Sequence, residues 1–140
     1  DRILLGDDAY GGTFRLIDKV YGPAGYPHTA VDLTDLAALE REWPADARLV
    51  WLESPTNPLL TCVDITALAE LAHNHGALVV VDNTFATPYH QKPLDLGADM
   101  QVDPVAADQL GEMPGGRQRL QLLRASICWR GFNSRSRAPF

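Results

Sequence analysis

Three stretches of the chain end in polar side chains of types that can bind an ionised ring. Ala77-Leu78-Val79-Val80-Val81 is an apolar, β-branched run that stops at Asp82, with Asn83 and Thr84 behind it. Leu49-Val50-Trp51-Leu52 stops at Glu53, with Asn57 in the loop that follows. Arg2-Ile3-Leu4-Leu5 is closed by Gly6, and Tyr10 with the Gly11-Gly12 pair comes next. A run such as the first reads as a strand buried on both faces, as in a parallel sheet covered by helices. In open α/β sheets ligands bind beyond the carboxyl ends of the strands. Tyr10, Glu53, Asn57, Asp82 and Thr84 are therefore expected along one edge. Asp82 would be a charge backed by a dry sheet, which needs a cationic partner.

A flat aromatic, an amide and a carboxylate converging there suit a planar heteroaromatic ligand with a basic ring nitrogen. The acid stabilises the protonated nitrogen, the ring stacks on Tyr10, and Asn57 donates to a phenolate oxygen. Pyridoxal phosphate has those three features. Each residue also has a plainer reading. Asp82 can cap the next turn, Tyr10 can be a rim aromatic, and Asn57 can be a turn former between prolines. Glu53 can pair with an arginine across the sheet.

The elements that would position these groups alternate along the chain. After the first strand, Gly11-Gly12-Thr13 opens a helix of about ten residues through Phe14, Leu16, Ile17 and Val20, and Gly22-Pro23-Ala24-Gly25 breaks it. Thr29 to Asp32 reads as a brief strand, and Thr34 as the cap of a helix that stops before Pro44. Pro55 and Pro58 stiffen the loop after Glu53. Asp64 caps an amphipathic helix with Ile65, Leu68, Ala69, Leu71 and Ala72 on one stripe, closed by Gly76. Strand and helix repeated with long crossovers predict a parallel α/β sheet. A Rossmann-type nucleotide binder shares that sheet, but no Gly-x-Gly-x-x-Gly follows a strand.

The bulk composition narrows the function classes. The 140 residues amount to one domain, 46% hydrophobic and 21% charged, ordinary for a soluble globular protein. A net charge of −6 argues against nucleic acid or an anionic membrane as partner. No signal peptide or membrane span is expected. Cys62 and Cys128 lie far apart without metal-ligand spacing, so reduced thiols in a cytoplasm are the default. His28, His73, His75 and His90 form no ligand pattern and read as solvated surface. After Asp99 the pattern changes. Residues 100–140 are rich in Arg and interrupted by Pro and Gly, and are expected to be poorly ordered or one helix over Gln118–Ile127.

Gly6-Asp7-Asp8-Ala9-Tyr10-Gly11-Gly12-Thr13, Trp51-Leu52-Glu53-Ser54-Pro55-Thr56-Asn57-Pro58 and Val81-Asp82-Asn83-Thr84-Phe85-Ala86-Thr87-Pro88-Tyr89 together resemble successive blocks of the Cys/Met-metabolism pyridoxal-phosphate enzymes. The likeness runs from Asp1 to about Asp99, and its wording is nearest to the cystathionine γ-synthases. It implies the large-domain sheet of fold-type I pyridoxal-phosphate enzymes, incomplete here, with residues 1–99 as part of the cofactor-binding domain. It implies pyridoxal 5′-phosphate as cofactor and an amino acid as substrate, with C–S bonds made or cleaved at the β or γ carbon. Tyr10 would stack on the ring and take part in proton handling, Asp82 would bind the ring nitrogen, and Asn57 would lie near the phenolic oxygen. Glu53 and Thr84 would support the site. The family builds homo-oligomers that share residues between subunits.

One departure stands out against that resemblance. The family continues after Gly97-Ala98-Asp99 with a short strand and a His-Ser-x-Thr-Lys-Tyr segment, whose Lys forms the Schiff base. Counted without gaps, this chain reads Asp103-Pro104-Val105-Ala106-Ala107-Asp108, so Ala107 stands at the lysine's position. A methyl group can neither form an imine nor move a proton. The only lysines are Lys19, on a helix away from the sheet edge, and Lys92, in the loop after Tyr89. The chain is thus expected to be a fragment joined to out-of-register sequence after Asp99. It is expected to be inactive alone, or else a non-catalytic module that associates with homologous subunits.

Overall fold

The computed structural model describes residues 1–102 and the strand residues 127–129. The elements are β1 (Arg2–Gly6), α1 (Gly11–Leu16) running into a π-helical turn (Ile17–Tyr21), β2 (His28–Val31), α2 (Leu36–Arg41) and β3 (Ala47–Glu53). They continue with α3 (Ile65–Asn74), β4 (Leu78–Asp82), the short α4 (Thr87–His90), β5 (Met100–Val102) and β6 (Ile127–Trp129). Among these residues no helix is long and apolar enough to cross a membrane.

One sheet runs in the order β2-β1-β3-β4-β5-β6. Every neighbouring pair from β2 to β5 is parallel, as the alternation of strand and helix predicts. Only β6 is antiparallel, against β5. The chain moves outward from β1 to β2, then returns past β1 to lay down β3. Strand order therefore reverses between β1 and β3, the place where an open α/β sheet leaves a crevice for ligand.

Period-two alternation divides each strand between the faces. Leu4, Val50, Leu52, Val79 and Val81 pack against Leu39 of α2 and Ile65, Leu68, Ala69 and Ala72 of α3 in one buried cluster. The α3 stripe is held in place at both ends. Asp64 accepts the Ala67 N–H at 3.0 Å, and Gly76 leaves the helix at φ +72°, which only glycine adopts without strain. On the opposite face, α1 and the π-helical turn lie over Ile3, Leu49 and Trp51.

Several local expectations are corrected. The α2 cap is Asp35, which accepts the Ala38 N–H at 2.9 Å. Thr34 is instead engaged by Asp32, whose Oδ1 accepts both its N–H and its hydroxyl. The first helix has its expected length, ending before Gly22, but its second half is π-helical rather than α-helical. As expected, His73, His75 and His90 are exposed, and His28 is partly buried, though each ring has a neighbour. His73 bonds Asp99 at 2.9 Å, His75 stacks on Trp43 at 4.5 Å, and the rings of His28 and His90 sit edge-on to Phe14 and Tyr89. The sheet also continues beyond Asp99, since Met100–Val102 pairs with Val80–Asp82. The helix expected over Gln118–Ile127 and the position of Ala107 lie outside the described residues, apart from Ile127, which is in β6.

Candidate functional site

The carboxyl ends of β1, β3 and β4 surround a cavity of about 370 Å³ lined by Tyr10, Thr13, Glu53, Pro55, Asn57, Asp82, Thr84 and Phe85. All five polar or aromatic residues singled out from the sequence are in that set. The topology accounts for their meeting. Glu53 and Asp82 are direct register partners on adjacent parallel strands, and Tyr10 follows the β1–α1 turn over the β1–β3 switch point.

Glu53 ties the first of these strand ends to the second. Its Oε1 accepts the Tyr10 backbone N–H at 2.9 Å and the Thr13 hydroxyl at 3.3 Å. The side chain is buried, and among the described residues its bonding partners are these two donors rather than an arginine. Burial pushes the Glu53 carboxyl above the usual carboxylate range. The Tyr10 N–H opposes that shift, and the charge of the neighbouring Asp82 adds to it.

Asp82 uses Oδ1 for the turn that follows, accepting the Thr84 N–H at 3.1 Å and a short bond from the Thr84 hydroxyl. The capping role and a ligand role are therefore compatible, since both recorded bonds fall on one oxygen. Thr84 fixes the carboxylate plane, and the Asp82 side chain lines the cavity. Asn57 is exposed at the rim between Pro55 and Pro58, in a loop folded back by Thr56 N–H to Thr61 O and Thr61 N–H to Thr56 Oγ1, both at 3.0 Å.

The Tyr10 ring lies directly over Gly12. A Cβ on that glycine would stand 2.4 Å from Tyr10 Cε1. Lys19, in the π-helical turn, is paired with Asp18 at 2.6 Å, and Lys92 is exposed; neither is in the cavity wall. No lysine of this chain reaches the site among the described residues.

Sequence reasoning missed Thr13 and Phe85 in the wall, and Asn83 and Gln91 behind it. Thr13 had a usable signal, being three positions after Tyr10 and so on the same side of the opening helical turn. Asn83 and Gln91 had none, because nothing local says that a loop amide will turn back onto a strand end.

Fold and cavity together define a parallel α/β domain of the kind that gathers its polar residues at the carboxyl edge of the sheet. The particular family follows from comparison. The model for the Cys/Met metabolism PLP-dependent enzymes matches residues 1–106, and the chain belongs to that family, which depends on pyridoxal phosphate. The cystathionine γ-synthase of Mycobacterium tuberculosis is 54% identical over 100 residues, which are 71% of this chain and 26% of that protein. A cystathionine β-lyase of Lactococcus lactis subsp. cremoris is 50% identical over the same shares. The solved cystathionine γ-lyase of Lactobacillus plantarum, complexed with L-serine, superposes with a TM-score of 0.70 at 54% identity, covering 72% of this chain and 26% of its own. The chain thus spans about a quarter of the length of these relatives.

Proposed function

We propose that these residues form the ring-binding part of a pyridoxal-phosphate site from an enzyme that makes or cleaves C–S bonds of sulfur amino acids, of the cystathionine γ-synthase or lyase type. The observation that carries this reading is the shared wall of Tyr10, Glu53, Asn57, Asp82 and Thr84 around one cavity. Among the described residues its two adjacent acids face no basic side chain in that wall, so a cationic ring is their electrostatic complement. The residues fit the ring end of the cofactor. Asp82 would accept the ring N–H with Oδ2, Tyr10 would cover one face, and Asn57 would donate to the ring oxygen. Thr84 orients Asp82, and Glu53 holds the Tyr10 loop. When bound, the cofactor supplies the electron sink for bond changes next to the substrate amine. The setting is a reducing cytoplasm, with an amino-acid substrate and association between like subunits.

The same residues do not supply covalent anchorage, and Ala107 at the lysine position makes these 140 residues inactive by themselves. The purified chain, mixed with pyridoxal phosphate and reduced with borohydride, should carry no lysine-linked cofactor by mass spectrometry. A stoichiometric adduct on Lys92 or Lys19 would overturn the inactivity. A second reading is that of a non-catalytic module that docks on homologous subunits. It is favoured by the exposure of Leu59 (71%), Leu60 (60%) and Tyr89 (88%). Gel filtration with and without a full-length homologue separates it from an isolated monomer.

A further inference from the structure

Behind the cavity, two amide side chains join the loop that carries Asn57 to the strand end that carries Asp82. Gln91 Nε2 donates to the Ser54 carbonyl at 2.7 Å and to Asn83 Oδ1 at 2.9 Å. Asn83 Nδ2 donates in return to the Gln91 carbonyl at 3.0 Å. The Asn83 backbone is fixed as well, with its N–H on the Val102 carbonyl and its own carbonyl on the Thr87 N–H, both at 2.8 Å. Asn83 and Ser54 are buried. Buried amides matched in this way rigidify what they connect, because each broken bond would leave a polar group desolvated without a partner.

The connection reaches Asn57 through a short, doubly tied loop. Ser54 Oγ accepts the Val63 N–H at 3.1 Å, and Thr56 bonds Thr61 through both backbone and hydroxyl. Asn57 therefore moves with Ser54, and Ser54 is held to Asn83, the residue next to Asp82. Neither amide is in the cavity wall, so their effect on a ligand is indirect.

We propose that the Asn83–Gln91 amide pair is a positioning device that fixes the Asn57 amide relative to the Asp82 carboxylate, and so selects a protonated pyridine ring that also bears a ring hydroxyl. The proposal rests on the ring-binding reading above. A planar ring holds its nitrogen and its hydroxyl at one rigid separation, so both bonds form only if the two protein groups keep a matching separation. Geometry of this kind has to hold to about 0.5 Å. If the pair is loosened, the Asp82 contact survives and the Asn57 contact is lost.

The test uses the whole chain and two non-covalent probes that need no lysine. These are pyridoxamine 5′-phosphate and its analogue with hydrogen in place of the ring hydroxyl, each titrated by equilibrium dialysis. One hydrogen bond to the hydroxyl should favour the first probe by about two- to tenfold in the unaltered chain. In Gln91→Met, which keeps side-chain volume and removes both donations, that ratio should fall to about one through weaker binding of the hydroxylated probe alone. Asn83→Asp, which loses the Nδ2 donation to the Gln91 carbonyl, serves as a second variant and should also lower the ratio. A general loss of structure would weaken the deoxy probe as well, and far-UV circular dichroism excludes it in each variant. A preference retained in both variants overturns the positioning role and leaves the ring site standing, as does an unaltered chain that binds both probes equally. An unaltered chain that binds neither probe overturns the ring site and the positioning role with it.

Discussion

Gly12→Ala should separate the site from the fold, because it is expected to strengthen one and weaken the other. A Cβ at residue 12 falls 2.4 Å from Tyr10 Cε1 and 3.0 Å from Cδ1. Carbon atoms in favourable contact lie about 3.5–4.0 Å apart, so the ring must withdraw by more than about 1 Å. Tyr10 is 55% exposed and can swing outward at little cost. Gly12 itself lies within α1 and is not among the glycines with positive φ, so alanine fits the backbone. Replacing glycine by alanine in a helix stabilises by roughly 0.5–1 kcal/mol. An aromatic pair contributes about 0.5–1.5 kcal/mol beyond its area, so losing it should weaken ring binding about two- to tenfold, at 1.4 kcal/mol per decade. Guanidinium unfolding followed by tryptophan fluorescence gives the first quantity, and pyridoxamine 5′-phosphate titration gives the second. Tyr10→Ala should show a similar loss of affinity, and adding Gly12→Ala to it should cost nothing further. Unchanged affinity in Gly12→Ala, or an equal loss in the Tyr10→Ala background, would refute the claim that Gly12 acts through the Tyr10 ring.

Two further outcomes test the electrostatics and the core. Glu53 has its carboxyl raised by burial, and secondarily by Asp82, so its contribution to folding is fullest below the unfolded value of about 4.3 and is lost as pH rises through the folded value. Glu53→Gln keeps an acceptor for Tyr10 and Thr13, and should be more stable than the unaltered chain at pH 7, with the gap closing by about pH 4. Urea midpoints at the two pH values check this, and a gap that widens in acid would contradict it. Leu68→Ala empties a fully buried position between α3 and the sheet and should cost about 2–5 kcal/mol. A loss under about 1 kcal/mol in denaturant unfolding would mean that α3 is not clamped onto the sheet as described.

The sequence disclosed the sheet because its central strands carry signals that nothing else imitates. Val79-Val80-Val81 has no helical period, and the Asp64 and Gly76 punctuation brackets α3 on both sides. Site residues were legible for a related reason, since a charge ending an apolar run in a parallel sheet has only the carboxyl edge to occupy. Contacts that depend on side-chain competition were not legible. Thr34 and Asp35 are both good caps, and the choice fell to Asp35 only because Asp32 engages Thr34 first. The Glu53 partner was misjudged in the same way, for its oxygen meets a backbone N–H contributed by a loop 43 positions away. Met100–Val102 is too short for periodicity to reveal, and becomes a strand through pairing with β4.

Ring binding and covalent anchorage make different demands on a chain of this kind. The groups proposed to bind the ring line a cavity at the ends of β1, β3 and β4, whose apolar residues are also the core. A sequence that keeps the core therefore keeps Tyr10, Glu53 and Asp82 in mutual register, because the Glu53–Asp82 pairing is itself part of the β3–β4 ladder. On the proposed reading the anchoring amine would come from a segment after β5, outside the Glu53–Asp82 register, so losing it would not by itself disturb the pairing of β3 with β4. The acids then remain together at the sheet edge, where Glu53 stays above the usual carboxylate range. Their repulsion is relieved only by protonation or by an incoming cation. A pyridinium bound beside Asp82 should accordingly release protons from Glu53, so its affinity should rise with pH across the Glu53 titration. Without that pH dependence, the two acids would have to be independent in spite of their direct pairing.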